Sequence, residues 1–310
     1  MRKALITGGG GFIGSHLADR LLSGGWDVTA VDRVDVKKCG TLGHINDKSF
    51  RFVRCDINDT KELTEISKGI DHVFHLAANS DIRSGGQDPS VDLSSTFMTT
   101  RSVLDAMTAN GITKLFFSST SAVYGDKQDT ALNEETGDLR PISYYGAYKL
   151  ASEAVINAYS YMKGIDALIF RFPNVVGPRL THGVIFDFIN KLKADPARLE
   201  ILGDGKQRKQ YIYVTDLVDA VSMLSQDMPN GVTLFNVSTE SFTTVNEIAD
   251  IVCSGMRLRN VRYDYTGGPS GWKGDVPSFE YDISKIKRTG WKYRYNSTDA
   301  VRETVRSLDL

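Results

Sequence analysis

The stretch TGGGGFIG, residues 7–14, decides the fold class of this 310-residue chain. It joins a short apolar run, KALIT at 3–7, to a segment with apolar residues at helical spacing, FIGSHLADRLLSGG at 12–25. Gly8, Gly11 and Gly14 form a G-x-x-G-x-x-G array at this junction. Glycine permits a sharp turn and lets backbone N–H groups approach a pyrophosphate at the helix N-terminus. The order strand, glycine turn, helix therefore predicts a dinucleotide-binding βαβ unit.

Five further β-prone runs alternate with helical stretches, which predicts a doubly wound parallel α/β sheet over residues 1–175. They are WDVTAVD at 26–32, RFVRCD at 51–56, HVFHLAA at 72–78, KLFFSS at 114–119 and DALIFRF at 166–172. After 175 the pattern loosens, and we expect a smaller α/β domain from 176–209 and 239–310. The segment 210–238, which opens with the β-prone QYIYV, is expected to return to the main sheet.

Composition excludes several classes of function. The chain has 37 basic and 38 acidic residues and no basic tract, so we expect no nucleic-acid partner. Its three cysteines are widely spaced, which fits neither a disulfide framework nor a metal site. No apolar run reaches the roughly 18 residues that a membrane span needs. The sequence predicts a cytoplasmic protein without a structural metal.

Asp32 ends the second predicted strand, 18 residues after Gly14. A carboxylate there accepts hydrogen bonds from an adenosine ribose and repels a 2′-phosphate, which favours NAD over NADP. The neighbouring Arg33 keeps NADP open as an alternative.

The stretch YYGAYK at 144–149 places Tyr145 and Lys149 one helical turn apart, on the same face. A unit charge about 6 Å away contributes roughly 3 kcal/mol at an effective dielectric of about 20, or about two pKa units. Lys149 and the positive ring of NAD⁺ would thus lower the pKa of Tyr145 and prepare it for proton transfer. In SSTSAVYG at 118–125, Thr120 is the predicted hydroxyl partner, and Ser118 and Ser119 are expected to touch the cofactor.

These motifs, together with RFPNVVGPR at 171–179 and GDGKQRKQYIYVTDL at 203–217, resemble the extended short-chain dehydrogenases that act on nucleotide sugars. The resemblance spans nearly the whole chain and is greatest to UDP-galactose (UDP-glucose) 4-epimerases. It implies an NAD-binding Rossmann domain at 1–175 and a nucleotide-sugar-binding domain at 176–209 and 239–310. It implies Thr120, Tyr145 and Lys149 as the catalytic residues. The implied cofactor contacts are Gly8, Gly11, Phe12, Ile13, Gly14, Asp32, Asp56, Ile57, Leu76, Ala77, Ala78, Ser118, Tyr145, Lys149 and Phe172.

By this resemblance, Tyr145 would take the proton of the sugar C4 hydroxyl while a hydride moves from C4 to NAD⁺. The 4-keto sugar would turn over and receive the hydride on its other face. Related 4,6-dehydratases usually carry Asp-Glu after the threonine, and UDP-glucuronate decarboxylases usually carry glutamate at the second position. Here these positions are Ser121 and Ala122, which favours the epimerase. A UDP-glucuronate epimerase, a net dehydrogenase and a non-catalytic NAD-binding sensor stay open.

For a UDP-sugar substrate, the resemblance implies contacts from Thr120, Ser121, Tyr145, Asn174, Val184, Ile185, Phe188, Arg208, Trp272 and Asp275. Three positions depart from the family pattern. Thr96 replaces a usual asparagine, Trp272 a usual arginine, and either Arg208 or Lys209 takes the place of another arginine. The bulky Phe279 would favour glucose and galactose over N-acetylated sugars.

Many relatives form homodimers through helices that correspond to 89–110 and 144–162. We therefore expect a homodimer, with Met98, Val103, Leu104 and Met107 as candidates for the buried face between subunits.

Overall fold

The structure is a computed structural model that describes residues 1–40, 42–79, 82–127, 130–268, 279–308 and 310. Its strands are β1 Lys3–Thr7, β2 Asp27–Asp32, β3 Phe50–Arg54, β4 His72–His75, β5 Lys114–Thr120, β6 Ala131–Leu132, β7 Asp166–Phe172, β8 Asn174–Val176, β9 Arg198–Ile201, β10 Arg208–Lys209, β11 Tyr211–Tyr213, β12 Val232–Asn236, β13 Thr243–Thr244, β14 Arg262–Tyr265 and β15 Glu280–Tyr281.

The α-helices are α1 Phe12–Ser23, α2 Thr60–Ile66, α3 Ile82–Gln87, α4 Pro89–Asp92, α5 Thr99–Asn110, α6 Tyr144–Lys163, α7 Val184–Ala194, α8 Val214–Leu224, α9 Val245–Gly255, α10 Ser284–Lys287 and α11 Ser297–Ser307. Short 3₁₀ turns cover Val36–Lys38, Leu42–His44 and Ser121–Tyr124, and a π-helix covers Leu93–Met98. None of the described helices is both long and apolar enough to cross a membrane.

The main sheet has seven strands in the order β12-β7-β5-β4-β1-β2-β3. Strand β1 pairs in parallel with β2 and β4, β2 with β3, and β4 with β5. The order reverses at β1, and this reversal creates the crevice where doubly wound sheets bind nucleotides. The predicted doubly wound parallel fold is confirmed, and its strands end together at the edge that the glycine turn occupies.

The central strands are buried on both faces, because helices cover the parallel sheet. Val103, Leu104 and Met107 of α5 lie in this core with Leu115 and Phe117 of β5. The proposed use of these three α5 residues at a subunit interface was therefore wrong. These three side chains lie on the face of α5 that packs against the main sheet, so their apolar surface is already removed from water.

The chain divides into two compact units. The first comprises residues 1–123, 139–171 and 218–235 and holds the main sheet. The second comprises residues 124–138, 172–217 and 236–310.

In its described residues, the second unit contains four two-stranded sheets, built from β10 and β13, β11 and β8, β14 and β9, and β15 and β6. The expectation for the strand in QYIYV was wrong, since β11 pairs with β8 rather than with the main sheet. Tyr211, Ile212 and Tyr213 are all buried, so this strand is apolar enough for either location. Within the segment 210–238, strand β12 joins the main sheet, at the edge beside β7.

Candidate active site

The glycine turn between β1 and α1 is closely packed against the end of β4. Gly8 has a φ of +71°, and a Cβ on it would lie 2.9 Å from the backbone nitrogen of Ala77. A Cβ on Gly14 would lie 2.2 Å from the carbonyl oxygen of Gly8. The N-cap of α1 is Gly11, which has no side chain to accept from the first N–H groups of the helix. These donors at a positive helix end suit a pyrophosphate, so the turn fits a dinucleotide.

We expect Gly14→Ala to weaken NAD binding at least tenfold. The added methyl group would overlap a carbonyl oxygen of the turn and displace the backbone. A displacement that costs about 1.4 kcal/mol of binding free energy lowers the affinity tenfold. Calorimetric titration with NAD measures the effect. Gly86→Ala is the matched control, because a Cβ there meets no atom within 4 Å. Equal affinity in wild type and Gly14→Ala would contradict the packing argument.

Asp32, at the end of β2, is held by the turn that it is predicted to serve. Its Oδ2 accepts the Gly10 N–H at 3.1 Å and its Oδ1 accepts the Val34 N–H at 3.3 Å. A Cβ on Gly10 would lie 2.5 Å from Sγ of Cys39, which is buried. Burial, with Asp32 and Asp35, raises the pKa of the Cys39 thiol to about 11. No sequence pattern indicated Cys39, which holds the segment after β2 against the glycine turn.

His75, the last residue of β4, anchors the strand end that carries the predicted contacts Leu76, Ala77 and Ala78. Its Nδ1 lies 2.7 Å from Oγ1 of Thr7 and its Nε2 lies 3.0 Å from Oγ1 of Thr100. The Thr100 hydroxyl donates to the Thr96 carbonyl, so Nε2 carries the hydrogen and Nδ1 accepts. Burial and Lys149 lower the pKa of His75 to about 3, which keeps the ring neutral. Leu76, Ala77 and Ala78 are half-buried, beside the glycine turn.

Thr96, where the resemblance implies an asparagine, contacts the backbone through its hydroxyl. Its Oγ1 accepts the Asn79 N–H at 3.3 Å, within the π-helix that precedes α5. The Asn79 amide in turn donates to Oδ1 of Asp92 at 2.9 Å, and Asp92 is fully buried. The Thr96 hydroxyl thus positions Asn79, which lies four residues after the end of β4.

Helix α6 begins where the sequence predicts, and its first turn packs tightly on the Ser121–Tyr124 turn. Ser143 is the N-cap and its Oγ accepts the Gly146 N–H at 3.1 Å. A Cβ on Gly146 would lie 2.6 Å from the Ala122 carbonyl oxygen, so glycine is needed for this approach. The close packing aligns α6 with the end of β5.

Three consecutive residues of β5 then contact three residues of α6 that are spaced by one turn each. Lys149 Nζ donates to the Ser118 carbonyl at 2.6 Å. The Ser119 hydroxyl donates to Glu153. The Thr120 hydroxyl interacts with that of Tyr145 and acts to lower its pKa.

The predicted catalytic residues Thr120, Tyr145 and Lys149 are therefore brought together in the first unit. Sequence reasoning missed Glu153 and its partner Arg171. The continuation of the four-residue spacing, from Tyr145 to Lys149 to Glu153, was the available signal.

The electrostatics differ from the sequence-based expectation. Burial, and then the carboxylate of Asp92, raises the pKa of Tyr145, and the Thr120 hydroxyl only partly offsets this. Burial lowers the pKa of Lys149 to about 7, with Glu153 acting in the opposite direction. Lys149 Nζ lies 5.9 Å from the centre of the Tyr145 ring and 4.7 Å from that of Phe117. In the polypeptide itself, desolvation outweighs the attraction that we expected to lower the pKa of Tyr145.

The other predicted cofactor residues of the first unit differ in exposure. Phe12 and Ile13 are half-buried in the first turn of α1. Ser118 is buried, and its hydroxyl donates to the His75 carbonyl at 3.2 Å. Asp56 is exposed and accepts the Asn58 N–H at 2.9 Å. Ile57 is buried in the core cluster, so its part in cofactor binding stays a prediction.

Most of the predicted substrate contacts lie in the second unit. Asn174 is exposed in β8, and Val184 is half-buried at the start of α7. Ile185 and Phe188 are buried on the inner face of α7, where they pack as core residues. Phe172, a predicted cofactor residue, is half-buried at the end of β7.

The two basic residues of β10, Arg208 and Lys209, differ in exposure. Arg208 is exposed, and its guanidinium lies 4.8 Å from the centre of the Phe242 ring. Lys209 is half-buried. Trp272 and Asp275 lie outside the described residues.

Phe279 is buried in the second unit within a group of aromatic rings. Its ring is 5.5 Å from that of Tyr281, which is 6.0 Å from that of Tyr124. The Tyr124 hydroxyl donates to Oδ1 of Asn236 at 2.7 Å, which fixes the group.

Comparison with known proteins agrees with this geometry. Residues 4–238 match the model of the NAD dependent epimerase/dehydratase family. A putative UDP-glucose 4-epimerase of Methanocaldococcus jannaschii is 32% identical over 97% of this chain and 96% of its own. The crystal structure of a UDP-galactose 4-epimerase has a TM-score of 0.86 and 35% identity, over 98% of both chains. That of Thermus thermophilus UDP-glucose 4-epimerase with NAD has a TM-score of 0.85 and 28% identity, also over 98% of both.

The fold and the site define an NAD-binding enzyme of the extended short-chain dehydrogenase class. The chain belongs to the NAD-dependent epimerase/dehydratase family, its cofactor is NAD, and its enzyme class is that of the isomerases.

Proposed function

We propose that this enzyme inverts C4 of a UDP-hexose, with UDP-glucose and UDP-galactose as the favoured pair. The observation that carries the proposal is the set of Thr120, Tyr145 and Lys149 at the β5 end, in the same unit as the glycine turn. Bound NAD would supply the hydride chemistry, accepting the C4 hydride and returning it to the opposite face. The first unit is proposed as the NAD-binding domain and the second as the nucleotide-sugar-binding domain.

The chain's own residues would handle the proton. Thr120 would hold the C4 oxygen, and Tyr145 would take the hydroxyl proton and give it back when the alcohol re-forms. A phenol whose pKa is raised by burial needs a nearby cation to act as a base, and the Lys149 ammonium is a cation that the described residues supply, 5.9 Å from the centre of the Tyr145 ring. The lysine donates to the Ser118 carbonyl at 2.6 Å, which favours its position beside the tyrosine.

The turn after Thr120 supports epimerisation over elimination. Removal of water from the sugar needs an additional acid and base close to the reacting carbons. Ser121 and Ala122 occupy the two positions where related dehydratases carry carboxylates, and Ala122 is fixed against Gly146. Among the described residues, this arrangement serves proton transfer by Tyr145.

The sugar is proposed to lack an N-acetyl group. Phe279 is buried and packs with Tyr281 and Tyr124 inside the second unit, and its bulky ring is proposed to limit the size of the sugar that binds. Arg208, kept in place over Phe242, is proposed for the diphosphate, because a guanidinium can bind phosphate oxygens in pairs.

A homodimer is also proposed, through α5 and α6. Tyr161 and Met162 near the end of α6 have 91% and 71% of their surface exposed. Large apolar side chains in water favour an interface. Sedimentation of the purified protein would show a single species of twice the chain mass, and a monomer at micromolar concentration would contradict this.

The test of function is incubation of the purified protein with UDP-glucose, UDP-N-acetylglucosamine or UDP-glucuronate, followed by NMR of the products. The proposal predicts UDP-galactose from UDP-glucose, without added reductant and without accumulation of NADH. Faster conversion of the N-acetylated sugar would overturn the sugar assignment. NADH formed in step with product would show a net dehydrogenase, and NAD binding without turnover of any sugar would favour a sensor.

A further inference from the structure

Glu153 is a buried carboxylate to which the expected mechanism gives no part. It is 5% exposed, in the middle of α6, one turn after Lys149. Its Oε1 accepts Nε of Arg171 at 3.0 Å, and its Oε2 accepts Nη2 of the same guanidinium at 2.6 Å. Arg171, in β7, is 4% exposed. The pair therefore lies wholly inside the protein.

Glu153 also contacts the strand that carries the proposed catalytic hydroxyl. The Ser119 hydroxyl donates to the same Oε1, and Ser119 lies directly between Ser118 and Thr120. Lys149 is bonded to the carbonyl of Ser118, and Tyr145 faces Thr120. Glu153 is thus the third of three α6 residues that bind three consecutive residues of β5. It joins α6, β5 and β7 at one point.

A stabilising role alone does not account for this arrangement well. Removing two charges from water is costly, and buried ion pairs are often no more stable than apolar residues of the same volume. The distinctive effect of the carboxylate is on its neighbour, since burial disfavours the Lys149 ammonium and Glu153 opposes that. The lysine must carry its charge to assist Tyr145.

We propose that Glu153 is a positioning residue that keeps Lys149 charged and holds Ser119, and with it Thr120, in register with Tyr145. The inference rests on the proposed function for the role of Lys149. The other charged or titratable groups around Lys149 are consistent with it. His75 of β4 is neutral, Tyr145 of α6 is a neutral phenol, and Arg171 of β7 is paired with Glu153 itself. Asp92 of α4 acts on Tyr145.

The test is the charge state of Lys149 in Glu153→Gln, measured by NMR titration of ¹³Cε-labelled lysines and assigned with Lys149→Met. The pKa of Lys149 is expected to fall by about one pH unit in Glu153→Gln, since a carboxylate one turn away is lost. The alkaline limb of the kcat profile with UDP-glucose is expected to move to lower pH by the same amount.

The matched control is Asp166→Asn. Asp166 lies at the start of β7 and pairs with Lys114, at the start of β5, with an Nζ–Oδ2 distance of 2.8 Å. This pair joins the starts of β5 and β7, whereas Glu153 contacts Ser119 and Arg171 near the ends of the same two strands. Asp166→Asn is expected to lower the unfolding temperature and to leave the pKa of Lys149 unchanged. An unchanged pKa in Glu153→Gln, or an equal fall in both variants, would overturn the proposal.

A second variant covers the case in which Glu153→Gln fails to fold because the buried Arg171 loses the Glu153 carboxylate. Glu153→Gln combined with Arg171→Gln removes both charges. The pKa of Lys149 should still fall, because Glu153 acts on it, but by less than in Glu153→Gln alone, because loss of the Arg171 cation favours the ammonium. The NMR titration needs no turnover. A lowered pKa of Lys149 together with no conversion of any UDP-sugar would therefore support this inference while contradicting the proposed function.

Discussion

Tyr145→Phe should reduce the rate of 4-epimerisation by about 10²- to 10⁴-fold, the usual contribution of a positioned acid–base group. The substitution removes one hydroxyl and leaves the ring that packs beside Lys149. Binding of NAD and of the UDP-sugar should change little, so the loss should appear in kcat rather than in KM. Initial rates by NMR, with calorimetric binding of UDP, separate the two effects.

Tyr148→Phe is the control for this prediction. Tyr148 lies in the same helix, three residues after Tyr145, and its ring is 6.4 Å from that of Phe97. It has no lysine one turn later, so its hydroxyl should be dispensable and the rate should stay close to that of wild type. If both variants lost activity equally, or if Tyr145→Phe kept it, another group would have to be the base.

Lys149→Met should abolish most activity and also change how stability depends on pH. Methionine has a similar volume and no charge. Without the ammonium, the partial offset from the Thr120 hydroxyl is all that the described site sets against the effect of burial on the pKa of Tyr145, and a loss of at least about 10²-fold is expected.

The pH effect follows from the lowered pKa of the lysine. In the folded protein it is about 7, whereas the ordinary value is 10.5. The unfolded chain therefore binds more protons between these two values, and wild-type stability rises with pH there. The cost of burying the ammonium is present in full below about pH 7 and disappears toward pH 10.5. Relative to Lys149→Met, the free energy of unfolding of wild type should rise by about 1.4 kcal/mol per pH unit in this window.

Denaturant unfolding at pH 7, 8 and 9 measures this difference, because other titrating groups cancel between the two proteins. Lys163→Met is the matched control, as Lys163 is an exposed lysine at the end of the same helix. Its difference from wild type should not depend on pH. A constant difference for Lys149→Met as well would show that Lys149 is not desolvated as the structure indicates.

The sequence was sufficient for the main sheet because its signals are local and agree with each other. Apolar runs separated by helical stretches define the strands, and the glycines of 7–14 define the first turn. QYIYV was misplaced for a physical reason. A buried three-residue strand has no alternation that would tell a central sheet from a small one, so its partner β8 was not predictable.

The candidate site was predictable where the spacing of reactive residues, or their position after a strand, is visible in the sequence. Tyr145 and Lys149 were found through their spacing, and Asp32 through its position after a strand. Glu153 and Asp92 were missed, because a carboxylate on a helix is ordinarily exposed and only the fold shows that these two are buried. The effect of burial on the pKa of Tyr145 was missed for the same reason, since desolvation depends on atoms that are distant in sequence.

The origin of the hydrogen at C4 tests the central claim most directly. UDP-glucose carrying deuterium at C4 would be converted in ordinary water, and the UDP-galactose formed would be analysed by NMR and mass spectrometry. If hydride leaves C4 and returns to it while Tyr145 handles only the hydroxyl proton, the product keeps its deuterium. A product that carries hydrogen from water at C4 would contradict the account, as would the absence of any 4-epimer.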